Sequence, residues 1–372
     1  MTPLGLLEWT SRYLRFWHTG SDGAWQPHIF QGQGPGLPLV IRYGRTQQAD
    51  GRGSIAGWQI GWPAWKVYYA RPLEVLADFF PQWHAASIWR IGSKKITAAR
   101  LLSLVLSELS PATQQVQSWS LLLPSYWEEA QAQEFTDQLQ RSGLQPMLAL
   151  AQDLALAWAA WLNAGPFLNV VLADLDDYAC TVSRVARQGD ALVVAQRVCL
   201  RELGRRVWVK RLLAACAEMA IHSYRLDPRL SQYATQLLLL HLEQSLAQLG
   251  QVGLRLRVHV PDFHGELVLS AALIHQACTA LAQAVAQAVG RLIQPGDQVF
   301  LSWRLAELPG QIVRALYRVL RHRLCVGIVD EKDYLRASSY LTQHASVRET
   351  GPIICWRQLG VALGGSAVEV SP

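Results

Sequence analysis

The chain has 372 residues, 51% of them hydrophobic and 17% charged, with a formal net charge of +6. That length suits about two or three domain-sized units, and the apolar content builds a substantial core and excludes a disordered chain. No apolar run reaches membrane-spanning length (the richest, 147–162, is broken by Gln152 and Asp153), and Glu8 and Arg12 interrupt any signal-peptide core, so the expectation is a soluble cytoplasmic protein.

In chain order, residues 5–30 predict two strands joined by a turn at 19–23. A Gly/Pro loop at 32–36 leads into a short strand at 39–43, and 47–53 is polar and loop-like. Ile96, Ala99, Leu102, Leu106 and Leu109 recur at helical spacing over 96–109. An apolar strand at 121–123 precedes a polar helix at 128–140 with Phe135 and Leu139 on one face, and 152–162 predicts a largely buried helix. After Gly165-Pro166 the pattern restarts with strands at 168–174, 180–187 and 191–199, turning at Asp176-Asp177 and Gln188-Gly189-Asp190. Helices follow at 207–222 and 232–249, then an alternating strand at 254–260. Leu273, Ala277, Leu281, Val285 and Val289 predict one long amphipathic helix over 267–293. A strand at 298–302 and a helix at 311–321 close the pattern.

Arg314, Arg318, Arg321, His322 and Arg323 form the densest basic cluster; it reads as a solvated helix face, and no RNA motif, zinc finger or helix-turn-helix signature supports nucleic-acid contact. The cysteines, Cys180, Cys199, Cys216, Cys278, Cys325 and Cys355, lack metal-ligand spacing and read as small core residues in a reducing compartment. Periodicity alone gives a two-lobed α/β chain, each half opening with antiparallel strands and closing with strand-to-helix units.

The segment Leu123-Pro124-Ser125-Tyr126-Trp127 through Gln133 resembles the V-P-A-Y-F-x-x-x-Q-R-x block of the DnaK-type heat-shock chaperones, members of the actin-like ATPase superfamily. Leu37-Pro38-Leu39-Val40-Ile41 is similar to their T-P-S-V-I, Ile60-Gly61-Trp62-Pro63-Ala64 to V-G-x-P-A, and Leu203-Gly204 with Trp208 and Leu212 to L-G-G-x-x-F-x-x-x-L. The resemblance runs nearly end to end over the nucleotide-binding domain, with nothing matching a substrate-binding domain. It implies a two-lobed actin-like fold of duplicated ribonuclease-H-like domains. Residues 1–164 would form lobe I, with a subdomain inserted at about 44–95, and 165–372 lobe II, with one at about 207–266.

The same resemblance places the nucleotide machinery, and this chain departs from it throughout. Where the family's first phosphate loop reads G-I-D-x-G-T-T, the chain has Gly5-Leu6-Leu7-Glu8-Trp9-Thr10-Ser11, so Leu7 replaces the Asp and Trp9 a Gly. An indole stands where a backbone must approach a phosphate. The second loop, D-x-G-G-G-T-x-D, becomes Asp174-Leu175-Asp176-Asp177-Tyr178-Ala179-Cys180-Thr181, and two added carboxylates repel a triphosphate. Trp65 takes the lysine position, with Lys66 one residue later; Gln152 takes that of the family's water-ordering Glu; Trp303-Arg304 replaces the adenosine Gly-Gly turn. The purine helix keeps Glu243 but has Leu246, Ala247 and Gly250 where Lys, Arg and Ser would be.

The expectation is therefore a pseudo-ATPase with no catalytic residues, no ATP or Mg²⁺ and no metal site, binding a protein partner or a larger assembly as scaffold, assembly factor or regulator. A divergent ATPase or phosphotransferase and an actin-like filament or platform protein are the alternatives. Local Asx hydrogen bonds are expected of Asp174, Asp176 and Asp177. Trp9, Trp17, Trp25, Trp62, Trp65, Trp127 and Trp303 lie in segments expected near the surface or cleft, where they either meet a partner or fill the core and the vacated cleft, with Trp9 and Trp303 plugging the vestigial site.

Overall fold

The computed structural model describes residues 4–20, 24–31, 33–47, 54–68, 71–113, 116, 118–320, 326–344 and 353–360. The first half opens with β1 (Leu4–Trp9), β2 (Tyr13–Thr19), β3 (Trp25–Pro27) and β4 (Gly36–Pro38). Small hairpins follow: β5 (Ile41–Gln47) pairs with β6 (Ser54–Ile60), then come α1 (Trp62–Tyr68), β7 (Val75–Leu76), and β8 (Ile88–Ile91) with β9 (Lys94–Thr97). The half closes with α2 (Ala98–Thr113), β10 (Ser118–Leu123), α3 (Glu129–Arg141), β11 (Pro146–Ala151) and α4 (Gln152–Ala164).

The second half repeats this plan with β12 (Asn169–Leu175), β13 (Cys180–Gln188), β14 (Ala191–Leu200), α5 (Arg205–Tyr224), α6 (Gln232–Val252), the hairpin β15 (Leu254–Val260) and β16 (Phe263–Leu269), α7 (Ala271–Leu292) and β17 (Gln298–Ser302). Then follow α8 (Trp303–Ala306), α9 (Ile312–Val319), β18 (Val326–Val329), α10 (Glu331–His344), β19 (Ile353–Cys355) and β20 (Gln358–Gly360).

The molecule is mixed α/β, and its two large sheets share one strand order. The first runs β19-β11-β10-β1-β2-β3, with β4 also on β2, and the second β18-β17-β12-β13-β14-β20. In each, the opening strand is antiparallel to the next and parallel to a later one that follows an α-helix. The strands nearest the centre, such as Val170 to Leu175, are buried on both faces, which is why they read as continuous apolar runs and not as alternations. β19 adds to the edge of the first sheet beside β11, and three residues on β20 pairs with β14 of the second, so one short segment straps the sheets together.

Each half has its own core, and a third apolar layer lies between the sheets. Residues 152–160 of α4 are all buried there, against Tyr334, Ala337 and Leu341 of α10. A helix apolar on every side is stable only when wrapped by protein. No helix among the described residues is long and apolar enough to cross a membrane.

Several expectations are corrected. Residues 5–30 hold three strands, because Thr10-Ser11-Arg12 makes a tight turn closed by Thr10 N–H to Tyr13 O at 2.9 Å and by Tyr13 N–H to Thr10 Oγ1 at 2.9 Å. That turn contains neither Gly nor Pro, so sequence punctuation misses it. The strand expected at 39–43 begins only at Ile41, as the start of β5, with Leu39 and Val40 linking it to β4. The buried helix expected at 152–162 is present as α4; the apolar residues before it form β11, with the break at Ala151/Gln152. The helix expected over 267–293 begins only at Ala271, capped by Ser270 Oγ accepting from Leu273 N–H at 3.3 Å, because Phe263, Leu267 and Leu269 alternate inward as β16. Cys199 is exposed, whereas Cys180, Cys216, Cys278 and Cys355 are buried. Trp9, Trp17, Trp65 and Trp127 are core residues. Ser21 to Gly23 of the first expected turn, 48–53 of the polar loop, Arg321, His322, Arg323 and Cys325 lie outside the described residues.

Candidate functional site

The last residues of β1 and β12, the turns that follow them, and the starts of α5 and α8 meet between the two halves. They carry charge: Glu8 at the end of β1, Arg12 in the next turn, Asp174 at the end of β12, Asp176 and Asp177 in its turn, and Arg304 on α8. A charge buried at the end of an apolar strand must find a partner; all but Asp174, whose partner Arg304 lies in its own half, do so across the interface.

Glu8 is fully buried. Its Oε1 accepts from Arg304 at 2.9 Å, and its Oε2 lies 3.6 Å from Arg15. The same Arg304 places Nε 3.3 Å from Asp174 Oδ1, so one guanidinium joins a carboxylate from each half. Burial acts to lower the Arg304 pKa, but Asp174 and Glu8 outweigh it and hold the group charged well above its usual value. Arg12 reaches the other way, with its NH1 2.8 Å from Glu243 on α6 and 3.3 Å from Asp177. Its guanidinium also lies over the Trp65 ring at 4.4 Å. Below, Arg197 grips Asp153 at 2.7 and 2.8 Å, and Ser183 donates to the same carboxylate at 2.6 Å. Arg206 pairs with Asp78 at the rim.

Asp176 organises the turn. Its Oδ1 accepts from the backbone N–H of Tyr178 at 2.7 Å and of Ala179 at 2.9 Å, the Asx pattern expected of it. Its Oδ2 accepts from Ser11 N–H at 3.0 Å and from Tyr126 O–H at 2.9 Å, both in the first half. Gly204, just before α5, lies against this turn so closely that a Cβ there would meet the Tyr178 carbonyl carbon at 2.4 Å. Burial pushes the Asp176 carboxyl above its ordinary value of 3.8, against the lowering effect of its donors. The folded protein then keeps a proton that the unfolded chain has released, so this group's contribution to stability falls as pH rises above 3.8. Asp176→Asn, although less stable than the parent because its amide cannot accept on both sides, is expected to close part of that gap from pH 4 to pH 7. Urea midpoints across that range measure it, and a gap that widens with pH refutes the shift.

A cavity of about 210 Å³ remains beside these groups, lined by Thr10, Tyr13, Asp176, Asp177, Trp303 and Arg304 among others. Burial pushes the Tyr13 phenol up to about 12, so it stays a neutral wall.

Of the residues singled out in the sequence, Thr10, Gln152, Asp174, Asp176, Asp177, Glu243, Trp303 and Arg304 converge here. Gln152 is buried and donates to Trp9 O at 3.1 Å and Glu8 Oε1 at 3.5 Å. Tyr178 packs on Tyr126 at 5.2 Å and beneath Arg201. Leu7 and Trp9 do not line the cavity: Leu7 is fully buried, and Trp9 stacks on Phe80 at 5.1 Å and meets Phe135 edge-on at 5.0 Å in the first core. The expected Trp9 plug is thus corrected, because β1 alternation turns that indole away from the interface. Lys66 is exposed on α1, away from the cavity. Glu8, Arg12, Asp153 and Arg197 are members the sequence reading missed; the available signal was a glutamate at the end of an otherwise apolar strand. No group of three or more His, Cys, Asp or Glu among the described residues is placed to hold a metal ion.

No protein-family model matches the chain, and no curated protein matches it.

Proposed function

We propose that the chain is a catalytically silent relative of the DnaK-type nucleotide-binding domain, a cytoplasmic protein-binding scaffold or assembly factor held in one arrangement of its lobes. The repeated strand order supports the duplicated ribonuclease-H-like plan, with lobes at 1–164 and 165–372 and insertions near 44–95 and 207–266. In this reading β19 returns from the second lobe to the first.

One observation carries the functional part. In the resemblance, two Gly-rich turns offer backbone N–H groups to phosphate. Here the corresponding N–H groups of Ser11, Tyr178 and Ala179 all donate to the Asp176 carboxylate. A protein anion stands in for the ligand anion. The residues fit Mg-ATP poorly: at the two turns its phosphates would meet Asp176 and Asp177 in place of free N–H groups, and although Arg15, Arg205 and Arg304 also line the cavity, its volume of about 210 Å³ is below the roughly 300 Å³ at which small-molecule pockets begin. Without a nucleotide to open or close the cleft, the protein offers partners a fixed shape.

Isothermal calorimetry with Mg-ATP is expected to show no binding tighter than about 10 μM, equivalent to about −7 kcal/mol. Tighter binding, or phosphate release above background that Asp174→Asn abolishes, overturns the proposal.

A further inference from the structure

Arg314 and Arg318, the members of the basic cluster that lie on α9, have no part in the cleft, and the structure gives them a setting. α9 runs alongside α7 in close contact. A Cβ on Gly310, just before α9, would lie 2.8 Å from Cys278 O, and one on Gly290 would lie 2.8 Å from Val319 Cγ1. The start of α9 therefore sits by residue 278 and its end by residue 290, so the helices run in the same direction. Between them lies a groove of about 390 Å³. One wall carries Thr279, Gln283 and Gln287 at successive turns of α7, and the other carries Gln311, Arg314 and Arg318. No carboxylate is among the described residues that line it. Gln283, Gln287, Arg314 and Arg318 are all exposed. Arg314 donates to Gln311 Oε1 at 3.1 Å, which leaves the rest of its fork turned to solvent.

We infer that this groove binds an extended acidic peptide segment of a partner protein, with acidic residues at alternate positions. The inference rests on the protein-binding reading above and names the chemistry of the partner. Arginines four apart on a helix are spaced about 6 Å along its axis. Residues two apart in an extended chain are spaced about 6.7 Å and point to the same side. Two carboxylates in a Glu-x-Glu pattern therefore meet Arg314 and Arg318 in register, each through a charge-assisted fork. The glutamine amides opposite both donate and accept, which suits peptide N–H and C=O groups; a phosphodiester backbone offers only acceptors. From Thr279 to Gln287 the wall is about 12 Å long, room for roughly four extended residues.

The test uses the full chain and a fluorescein-labelled peptide, Gly-Ser-Glu-Val-Glu-Ser-Gly, in anisotropy titrations at low and moderate salt. Saturable binding below about 1 mM is expected, about tenfold weaker for the Glu-Glu-Val order, for the double variant Arg314→Gln with Arg318→Gln, and for Gln287→Glu, which places a carboxylate in the groove. All three substituted side chains are exposed, so melting temperatures should stay near the parent value, and a folded variant that binds as the parent does overturns the inference. So does the absence of saturation, or tighter binding of an oligothymidylate of equal charge, which would make the groove a nucleic-acid site. Peptide failure alongside silent Mg-ATP calorimetry removes the groove and leaves the closed cleft standing. Peptide capture alongside tight Mg-ATP binding does the reverse.

Discussion

Arg304→Met is expected to lower the unfolding free energy by about 3–5 kcal/mol, the range for breaking a buried ion pair by removing one partner. The side chain of Glu8 is completely buried and that of Asp174 nearly so, and both face Arg304. Methionine fills much of the arginine volume, so little of the loss is a cavity. The cost is Asp174 left without its cation and Glu8 left with only Arg15, 3.6 Å away, in a largely buried interface. Against a typical total of about 5–15 kcal/mol, that loss is enough to unfold a substantial fraction of the protein near physiological temperature. Adding Glu8→Gln removes one stranded charge, so the double variant should be more stable than the sum of the singles by about 1–3 kcal/mol. Urea denaturation of the four proteins closes the cycle. A single-variant loss below about 1 kcal/mol would show that the pair contributes no more than a surface bridge.

Trp9→Ala is the second large effect, at about 3–5 kcal/mol. It discriminates between two pictures of the same residue. If Trp9 blocked a nucleotide site, shortening it would cost little and admit ATP. The structure puts the indole among Phe80, Phe135 and Trp127, two of which also pack on each other at 4.6 Å. Truncation there opens a cavity inside the first core and leaves the cleft ion pairs untouched. The expected result is a large loss of stability with no gain of Mg-ATP binding in calorimetry. A near-neutral variant that binds nucleotide would return Trp9 to the cleft.

The apolar runs and turn residues that restart after Gly165-Pro166 make the second half's first three strands readable to within a residue or two, because each pairs with its neighbour through short connections. The small hairpins of the first half and β16 were less readable. Leu267 and Leu269 satisfy a helical period as well as a strand period, and only the pairing of His259 with His264 and Arg257 with Glu266 decides. The charged turn residues Asp174, Asp176 and Asp177 stood out as departures from a phosphate-binding loop. The pairings around them are not legible in the sequence. Arg12 meets Glu243, and Glu8 meets Arg304, only after the two halves have docked, and no local pattern encodes a contact between residues so far apart in sequence. Trp9 was misplaced for a related reason: loop correspondence gave its position along the chain, while strand alternation sets the side to which it points.

The short segment holding β19 and β20 sets an order of events during synthesis. Its partner Leu148 precedes Ile353 by roughly two hundred residues, a separation that makes the pairing slow to form. Until that segment leaves the ribosome, β11 presents an unpaired edge of apolar backbone, the kind of template on which nascent chains aggregate. The first half of this protein is thus completed by a strand made roughly two hundred residues after β11.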